Sequence, residues 1–138
     1  MGYVKLMRAA ESVTARVHLS LAPNLTLTQF AVLEALLHAG PLCHGELATK
    51  ILRSSGNLTL VVKNLEKSGW IKRERERADR RILTVHLTPD GQGLIREAFP
   101  KIAAAISREF NVLSEAEQAT LARLCKKLGL GRPSSTRA

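Results

Sequence analysis

The amino-acid sequence predicts a mainly α-helical (α+β) fold that carries one small β-hairpin. Along most of the 138 residues, apolar side chains recur at three- or four-residue spacing, which is the period of an amphipathic helix. Between residues 70 and 88 the period changes to two, because Leu83, Val85 and Leu87 alternate with polar residues. Helical patterns on both sides of this segment place the hairpin inside the domain.

Four helices are predicted ahead of the hairpin. The first spans Tyr3–Leu21 and ends at Pro23, since proline lacks the backbone donor that a helix interior needs. The second runs through Gln29–His38, with Thr26 or Thr28 as its N-cap.

The third and fourth helices form a helix-turn-helix. A short helix over 44–51 and a second one over 54–67 are joined by a brief connection. Ser54 or Ser55 caps the second helix and Gly69 ends it. Two helices of this size with so short a connection are typical of a DNA-binding helix-turn-helix.

Two strands follow, Trp70–Arg77 and Arg81–Thr88, so residues 24–88 predict a winged helix-turn-helix. A long helix then starts at Pro89, and a capping box of Ser114 and Glu117 opens the last helix, which ends at Gly129. The terminal segments, 1–22 and 90–130, are more apolar than a winged helix needs for its own core, which predicts a dimerisation lobe. A single domain would span 1–130, with a disordered polar tail at 131–138.

The helix over 54–67 has an apolar face and a polar face. Its apolar residues, Leu58, Val61, Val62 and Leu65, are predicted to enter the core. On the other side a glycine allows close backbone approach, asparagine pairs with adenine, and serine or lysine holds phosphate. The predicted DNA-binding residues of this helix are Ser54, Ser55, Gly56, Asn57, Thr59, Lys63 and Asn64. The alternative is the ordinary solvated face of an amphipathic helix.

The hairpin segment 71–81 holds six basic and three acidic residues. Arginine at the tip of such a hairpin suits a narrow minor groove, whose negative potential attracts guanidinium groups. Its predicted DNA-binding residues are Arg77, Asp79, Arg80 and Arg81, with Asp79 orienting a neighbouring arginine through a bidentate pair. The alternative is a charged hairpin with internal ion pairs, which protects the sheet edge.

The net charge of +9 favours a polyanionic partner, for which double-stranded DNA is the natural candidate. Five basic residues and no acidic one lie in 123–138, so part of this charge is expected away from the DNA-reading surface. A nucleic-acid binder without sequence preference is a further alternative, which the ratio of specific to competitor affinity discriminates.

Several other classes of protein are not favoured. The sequence lacks a Gly-rich phosphate loop, a nucleophile elbow and a paired-carboxylate motif, so we expect no enzyme and no cofactor. Its longest apolar runs fall short of the roughly 18–20 residues that cross a bilayer. Lys5 and Arg8 also interrupt the N-terminal stretch, where a signal peptide needs an unbroken apolar core. We therefore expect a cytoplasmic protein with no membrane partner.

Cysteine and histidine supply one functional alternative. Cys43 precedes a helix, which is a setting that activates thiols, whereas Cys125 is expected in core or dimer packing. With His38, His44 and Glu46, Cys43 forms a compact set of metal-ligating residue types, although their spacing matches no closed zinc motif. A thiol- or metal-responsive sensor that uses Cys43 is therefore the alternative to a ligand-released regulator.

Together these segments resemble the MarR family of winged-helix regulators over nearly the whole chain. The resemblance rests on LTQFAVLEAL at 27–36, ELA at 46–48, SGNLT at 55–59 and LEKSG at 65–69. Its most specific part is DRR at 79–81, followed by VHLTPDG at 85–91. The resemblance implies a homodimer joined through the first and last helices that binds pseudo-palindromic promoter DNA, usually as a repressor. A small-molecule inducer would bind between the winged lobe and the dimer helices.

Overall fold

Six helices and three short strands follow one another within the parts of the chain that the structure describes. The structure is a computed structural model, and it describes residues 1–21, 25–51 and 55–133. The elements are α1 (Gly2–His18), α2 (Leu27–Ala39), β1 (Leu42–Cys43), α3 (His44–Ile51), α4 (Ser55–Lys67), β2 (Ile71–Arg75), β3 (Leu83–Leu87), α5 (Pro89–Phe110) and α6 (Glu115–Leu130).

The strands form one antiparallel sheet in the order β1-β3-β2. Leu42 of β1 and Arg73 of β2 both lie opposite Val85 on the central strand. The predicted hairpin is therefore confirmed, but it is shorter than expected and carries a third strand that the sequence pattern did not reveal. A strand of two residues is too short to show alternation, which is why β1 escaped notice.

The hydrophobic core lies where α2, α3 and α4 pack against each other and against the sheet. Leu33, Leu47 and Leu65 are fully buried. All four residues predicted for the inner face of the helix over 54–67 are confirmed there, since three are buried and Val61 packs against the core. α5 continues this core through Ile95 and Ile102.

Helix boundaries agree with the predictions to within a few residues. α1 ends at His18 rather than Leu21, and residues 19–21 continue as a turn. α6 opens with the predicted capping box, in which Ser114 Oγ accepts from the Glu117 N–H at 3.1 Å, and it reaches Leu130. Pro23, Ser54 and residues 134–138 of the expected tail lie outside the described residues.

The N-cap of α2 is Thr26, which resolves the choice between two threonines. Thr26 Oγ1 accepts a hydrogen bond from the backbone N–H of Gln29 at 3.1 Å, and Gln29 Oε1 accepts one from the Thr26 N–H at 2.9 Å. Thr28 lies within the first turn of the helix. The reciprocal pair satisfies two backbone donors that the helix leaves without an internal partner.

Thr26→Ala is expected to lower the free energy of unfolding by about 1 kcal/mol, because the Gln29 N–H loses its side-chain acceptor and the reciprocal capping box is broken. Thr28→Ala is the matched control, and its effect should be within about 0.5 kcal/mol of zero, as for a position without a capping role. Urea unfolding followed by circular dichroism measures both values. Equal losses for the two variants would contradict the assignment of the cap.

A tight corner fastens the end of α4 to the start of α5. Gly69, at φ +80°, turns the chain out of α4 in a conformation that favours glycine. Thr88 then fixes α5 to this corner, because its Oγ1 donates to the Gly69 carbonyl at 2.6 Å and its N–H donates to the Trp70 carbonyl at 3.1 Å. Thr88 Oγ1 also accepts from the Gly91 N–H at 3.1 Å, so it caps α5. The corner thus joins the helix-turn-helix directly to α5.

Candidate nucleic-acid interface

α4 presents the polar face that the sequence predicts for contact with DNA. Asn57, Thr59, Lys63 and Asn64 are all exposed on this helix, with the two asparagines at the edge of the predicted polar face. Ser55 and Gly56 lie in its first turn, and Ser54 lies outside the described residues. Leu60 is also exposed, with 58% of its surface accessible, so the face offers an apolar contact as well as polar ones.

The hairpin ends in an ordered, strongly charged tip at residues 76–82, which we call the wing tip. The Glu76 N–H donates to the Ile82 carbonyl at 2.9 Å, and the Ile82 N–H donates to the Asp79 carbonyl at 3.0 Å. Arg77 and Arg80 are exposed. Arg77 was predicted to end the first strand, but β2 stops at Arg75 and Arg77 belongs to the tip.

Asp79 orients Arg81, which confirms the predicted bidentate pair and identifies its partner. Arg81 Nε and Nη2 each donate to a different carboxylate oxygen of Asp79 at 3.1 Å, and the Arg81 N–H adds a third bond at 3.0 Å. The Arg81 side chain, followed by its backbone N–H, holds the pKa of the Asp79 carboxyl below its ordinary value of 3.8. Arg81 nevertheless keeps 91% of its side-chain surface exposed. A guanidinium held this way is ordered and still accessible to DNA.

Further hydrogen bonds brace the wing, and the sequence interpretation missed them. Arg75 Nη1 donates to the Arg80 carbonyl at 2.9 Å, which ties the strand to the tip. Arg73 Nη2 donates to Glu66 Oε1 at 2.7 Å, which ties the strand to α4. The alternation of side chains along the strand could have indicated the contact between Arg73 and Glu66. Arg73 shares a strand face with Ile71, which is buried in the core.

Lys72 also pairs within the wing, since its Nζ lies 2.9 Å from Glu74 Oε1. The hydrogen bond from Lys72 lowers the pKa of the Glu74 carboxyl. Three of the basic residues in 71–81 therefore engage acidic partners. Two of these pairs, Lys72–Glu74 and Arg81–Asp79, lie within the hairpin, as the alternative interpretation of an internally paired hairpin predicts. Arg77 and Arg80 are exposed beside these pairs, so their predicted contact with DNA stays a prediction.

Cys43 has a carboxylate rather than a cation beside it. The Cys43 N–H donates to Glu46 Oε1 at 2.9 Å. This backbone bond, followed by a hydrogen bond from the thiol, lowers the pKa of Glu46. Activated thiols are found near positive charge, so the neighbourhood of Cys43 gives no support to a thiol sensor.

The proposed metal-ligating set does not come together. His38 Nδ1 lies 3.0 Å from the carbonyl oxygen of Glu34 and 3.1 Å from Glu34 Oε1, so one ring nitrogen is already engaged. Across the described residues, no three His, Cys, Asp or Glu side chains are grouped in a way that suits a metal ion. The structure thus offers no support for a metal sensor built on Cys43.

None of the helices in the described ranges is both long enough and apolar enough to cross a membrane.

Comparison with known proteins gives consistent matches. Residues 25–83 match the family model described as the MarR family. The chain is also 35% identical over 129 residues to the HTH-type transcriptional regulator MhqR of Bacillus subtilis, and the match covers 93% of this chain and 89% of that protein.

Two solved structures are similar over nearly the whole chain. A structure of BpsR from Bordetella bronchiseptica, whose DNA binding is described as regulated by 6-hydroxynicotinic acid, superimposes with a TM-score of 0.88. The two proteins are 26% identical, and the match covers 96% of this chain and 94% of that one. A mutant MarR from E. coli, complexed with operator DNA, gives a TM-score of 0.83 at 26% identity, with coverage of 92% and 91%.

Proposed function

The chain belongs to the MarR family of winged-helix, DNA-binding transcriptional regulators, and from this premise we propose that it acts as a homodimeric repressor. In this proposal the dimer binds a pseudo-palindromic promoter site and a small-molecule ligand releases it. The proposal accounts for three features of the described chain, which are the DNA-reading surface, the exposed apolar faces of the terminal helices and a cleft beside α5.

The observation that carries the proposal is the ordered arginine tip next to an exposed polar helix face. α4 would lie in a major groove, with Asn57 and Thr59 facing base edges and Lys63 facing phosphate. The wing tip would reach the adjacent minor groove, where negative potential attracts Arg80 and Arg81. Asp79 would hold Arg81 in the orientation for that contact without meeting phosphate itself.

Dimerisation would cover apolar surface that the single chain leaves open. No residue of α6 is buried, although this helix carries four leucines, and α1 and α5 also expose large apolar side chains. Because soluble monomers rarely expose large contiguous apolar patches, exposed apolar side chains on all three helices support a surface that a second copy covers. The exposed residues on these helices are Tyr3, Val4, Met7, Phe99, Ile106, Leu124, Leu128 and Leu130.

Ligand release would act through a shift in population. A ligand that binds better to a dimer whose two α4 helices are wrongly spaced for successive major grooves favours the unbound state. Support comes from BpsR, whose DNA binding is regulated by a small aromatic acid. A cleft of about 230 Å³ between the end of α1 and α5 is a candidate site, lined in part by Leu21, Leu94 and Lys101.

Selection of bound sequences from random DNA tests the proposal together with sedimentation analysis. We expect a dimer at micromolar concentration and an enriched inverted repeat, whose half-sites are about one helical turn apart. The affinity for this site should exceed that for competitor DNA by about a thousandfold or more at fixed salt. A monomer that enriches no sequence would contradict the proposal, and a dimer that binds all DNA equally would favour the alternative without sequence preference.

A further inference from the structure

Glu66 and Arg73 join the two parts of the DNA-reading surface. Glu66 lies on α4, three residues before Gly69, and Arg73 lies on β2, four residues after it. Arg73 donates from both Nη2 and Nε to Glu66 Oε1, at 2.7 and 3.2 Å. The pair therefore spans the angle that α4 makes with the wing.

The vertex of this angle is the turn at Gly69. The Gly69 N–H donates to the Glu66 carbonyl at 3.0 Å and the Trp70 N–H donates to the Leu65 carbonyl at 3.1 Å, which is the hydrogen-bond pattern of a Schellman motif. These bonds end the helix, but they do not reach the strand beyond Trp70. The ion pair does, because it connects residues on either side of the vertex.

The surroundings of Arg73 direct it toward α4. It lies opposite Val85 in the sheet and on the same strand face as Ile71, and both of these neighbours are 2% exposed. Its own side chain is 34% exposed, and that of Glu66 is 38% exposed. The hydrogen bond from Arg73 lowers the pKa of the Glu66 carboxyl, so the carboxylate is charged at neutral pH.

We propose that Glu66 and Arg73 are positioning residues for DNA binding, whose ion pair sets the angle between α4 and the wing so that both reach one DNA site. The inference rests on the proposed function, in which α4 and the wing tip contact DNA together. The six steps along the chain from Gly69 to Arg75, where β2 ends, give a lever of about 20 Å, so a change of about 10° at Gly69 moves the tip by roughly 3 Å or more. A displacement of this size breaks hydrogen bonds to DNA.

The pair contributes little to folding, because ion pairs between partly exposed side chains add little stability. Its loss should therefore appear in DNA affinity rather than in the unfolding transition. Arg73 is a poor probe, since its removal also deletes a positive charge near DNA. Glu66 is informative, because its neutralisation removes a negative charge from the DNA-reading surface. Electrostatics alone then predicts tighter binding, whereas a positioning role predicts weaker binding.

Glu66→Gln is the decisive variant, and Glu74→Gln is its matched control. Both change a partly exposed, paired glutamate by one charge, but the partners of Glu74 are Lys72 on its own strand and His86 on β3, so it spans no angle between α4 and the wing. We expect Glu66→Gln to bind the selected operator about tenfold more weakly. This is the loss of affinity expected when one side chain of the wing no longer contacts the DNA. Glu74→Gln should bind as tightly as the unmodified protein or more tightly. Both should unfold at the same urea concentration as that protein.

Charge reversal and footprinting separate positioning from a general structural role. The double variant Glu66→Arg/Arg73→Glu should recover most of the affinity that Glu66→Arg loses. In Glu66→Gln, protection of the minor groove under the wing tip from hydroxyl radicals should be lost, while protection of guanine N7 in the major groove under α4 remains.

Unchanged or tighter binding by Glu66→Gln overturns the inference, as does an equal loss in Glu74→Gln or a uniform loss of both footprints. If the unmodified protein enriches no operator, the proposed function fails, and the inference fails with it. Operator binding by the unmodified protein with no loss in Glu66→Gln refutes the inference alone.

Discussion

Gly91→Ala is expected to destabilise the protein by roughly 2–4 kcal/mol, a large effect for a change of one methyl group. A Cβ at this position would lie 1.9 Å from the carbonyl oxygen of Trp70 and 2.8 Å from its carbonyl carbon. The obstacle is backbone, so no side-chain rotation removes the overlap. The same carbonyl oxygen accepts the Thr88 N–H at 3.1 Å, which prevents the corner from moving freely.

Gly93→Ala provides the control within the same helix. Gly93 lies two residues further along α5, and a Cβ there meets no atom within 4 Å. Alanine favours helix over glycine by up to about 1 kcal/mol, so this variant should be slightly more stable than the unmodified protein. Two identical substitutions in one helix should thus have effects of opposite sign.

Urea unfolding at a fixed protomer concentration measures both effects, since the stability of the proposed dimer would depend on concentration. Trp70 is the single tryptophan of the chain, so its fluorescence reports directly on the corner. A stability of Gly91→Ala equal to that of Gly93→Ala would mean that the Trp70 carbonyl moves without cost. The joint between α4 and α5 would then be loose, and it would not transmit movement of α5 to the DNA-reading surface.

The sequence predicted most of the fold because its signals are local. Helical spacing, the Ser114 capping box and the alternation of Leu83 and Val85 each depend on residues a few positions apart. β1 was not predictable in this way, because Leu42 and Cys43 become a strand only by pairing with β3. The apolar character of the terminal helices was also predicted, because it too follows from local spacing, and the described structure leaves large apolar side chains on them exposed.

The candidate site was predictable in its residue types and less so in its contacts. The order of residues at the hairpin tip indicated that Asp79 would orient a neighbouring arginine, but it did not indicate which arginine. The structure selects Arg81, because the aspartate accepts both its backbone N–H and its guanidinium two residues on, a local geometry that Asp favours in turns. The contact between Glu66 and Arg73 depends on how a helix packs on a strand, and spacing along the chain does not specify that packing.

Replacing both Arg80 and Arg81 with alanine is expected to weaken operator binding by about a hundredfold or more, because each half-site would lose the two arginine contacts that we propose. Arg80 is exposed and Arg81 is held by Asp79 with 91% of its side chain accessible, so folding should be little affected. The dependence of affinity on salt should also become less steep, by about 0.9 for each phosphate that the variant no longer neutralises. Gel-shift titration at several salt concentrations measures both quantities.

The matched control removes two positive charges elsewhere, through Arg123→Ala and Lys126→Ala. Both residues are exposed on α6, which we propose to lie in the dimerisation lobe, and sedimentation verifies that this variant remains a dimer. If the net charge of +9 acted as a whole, both double variants would lose affinity equally. If the wing tip contacts DNA, the Arg80 and Arg81 variant should instead lose much of its operator affinity. The control should lose at most about threefold, since exposed charges beyond a Debye length from the DNA are largely screened. Equal losses would refute the wing assignment and would indicate that the basic C-terminal segment binds DNA as strongly as the hairpin does.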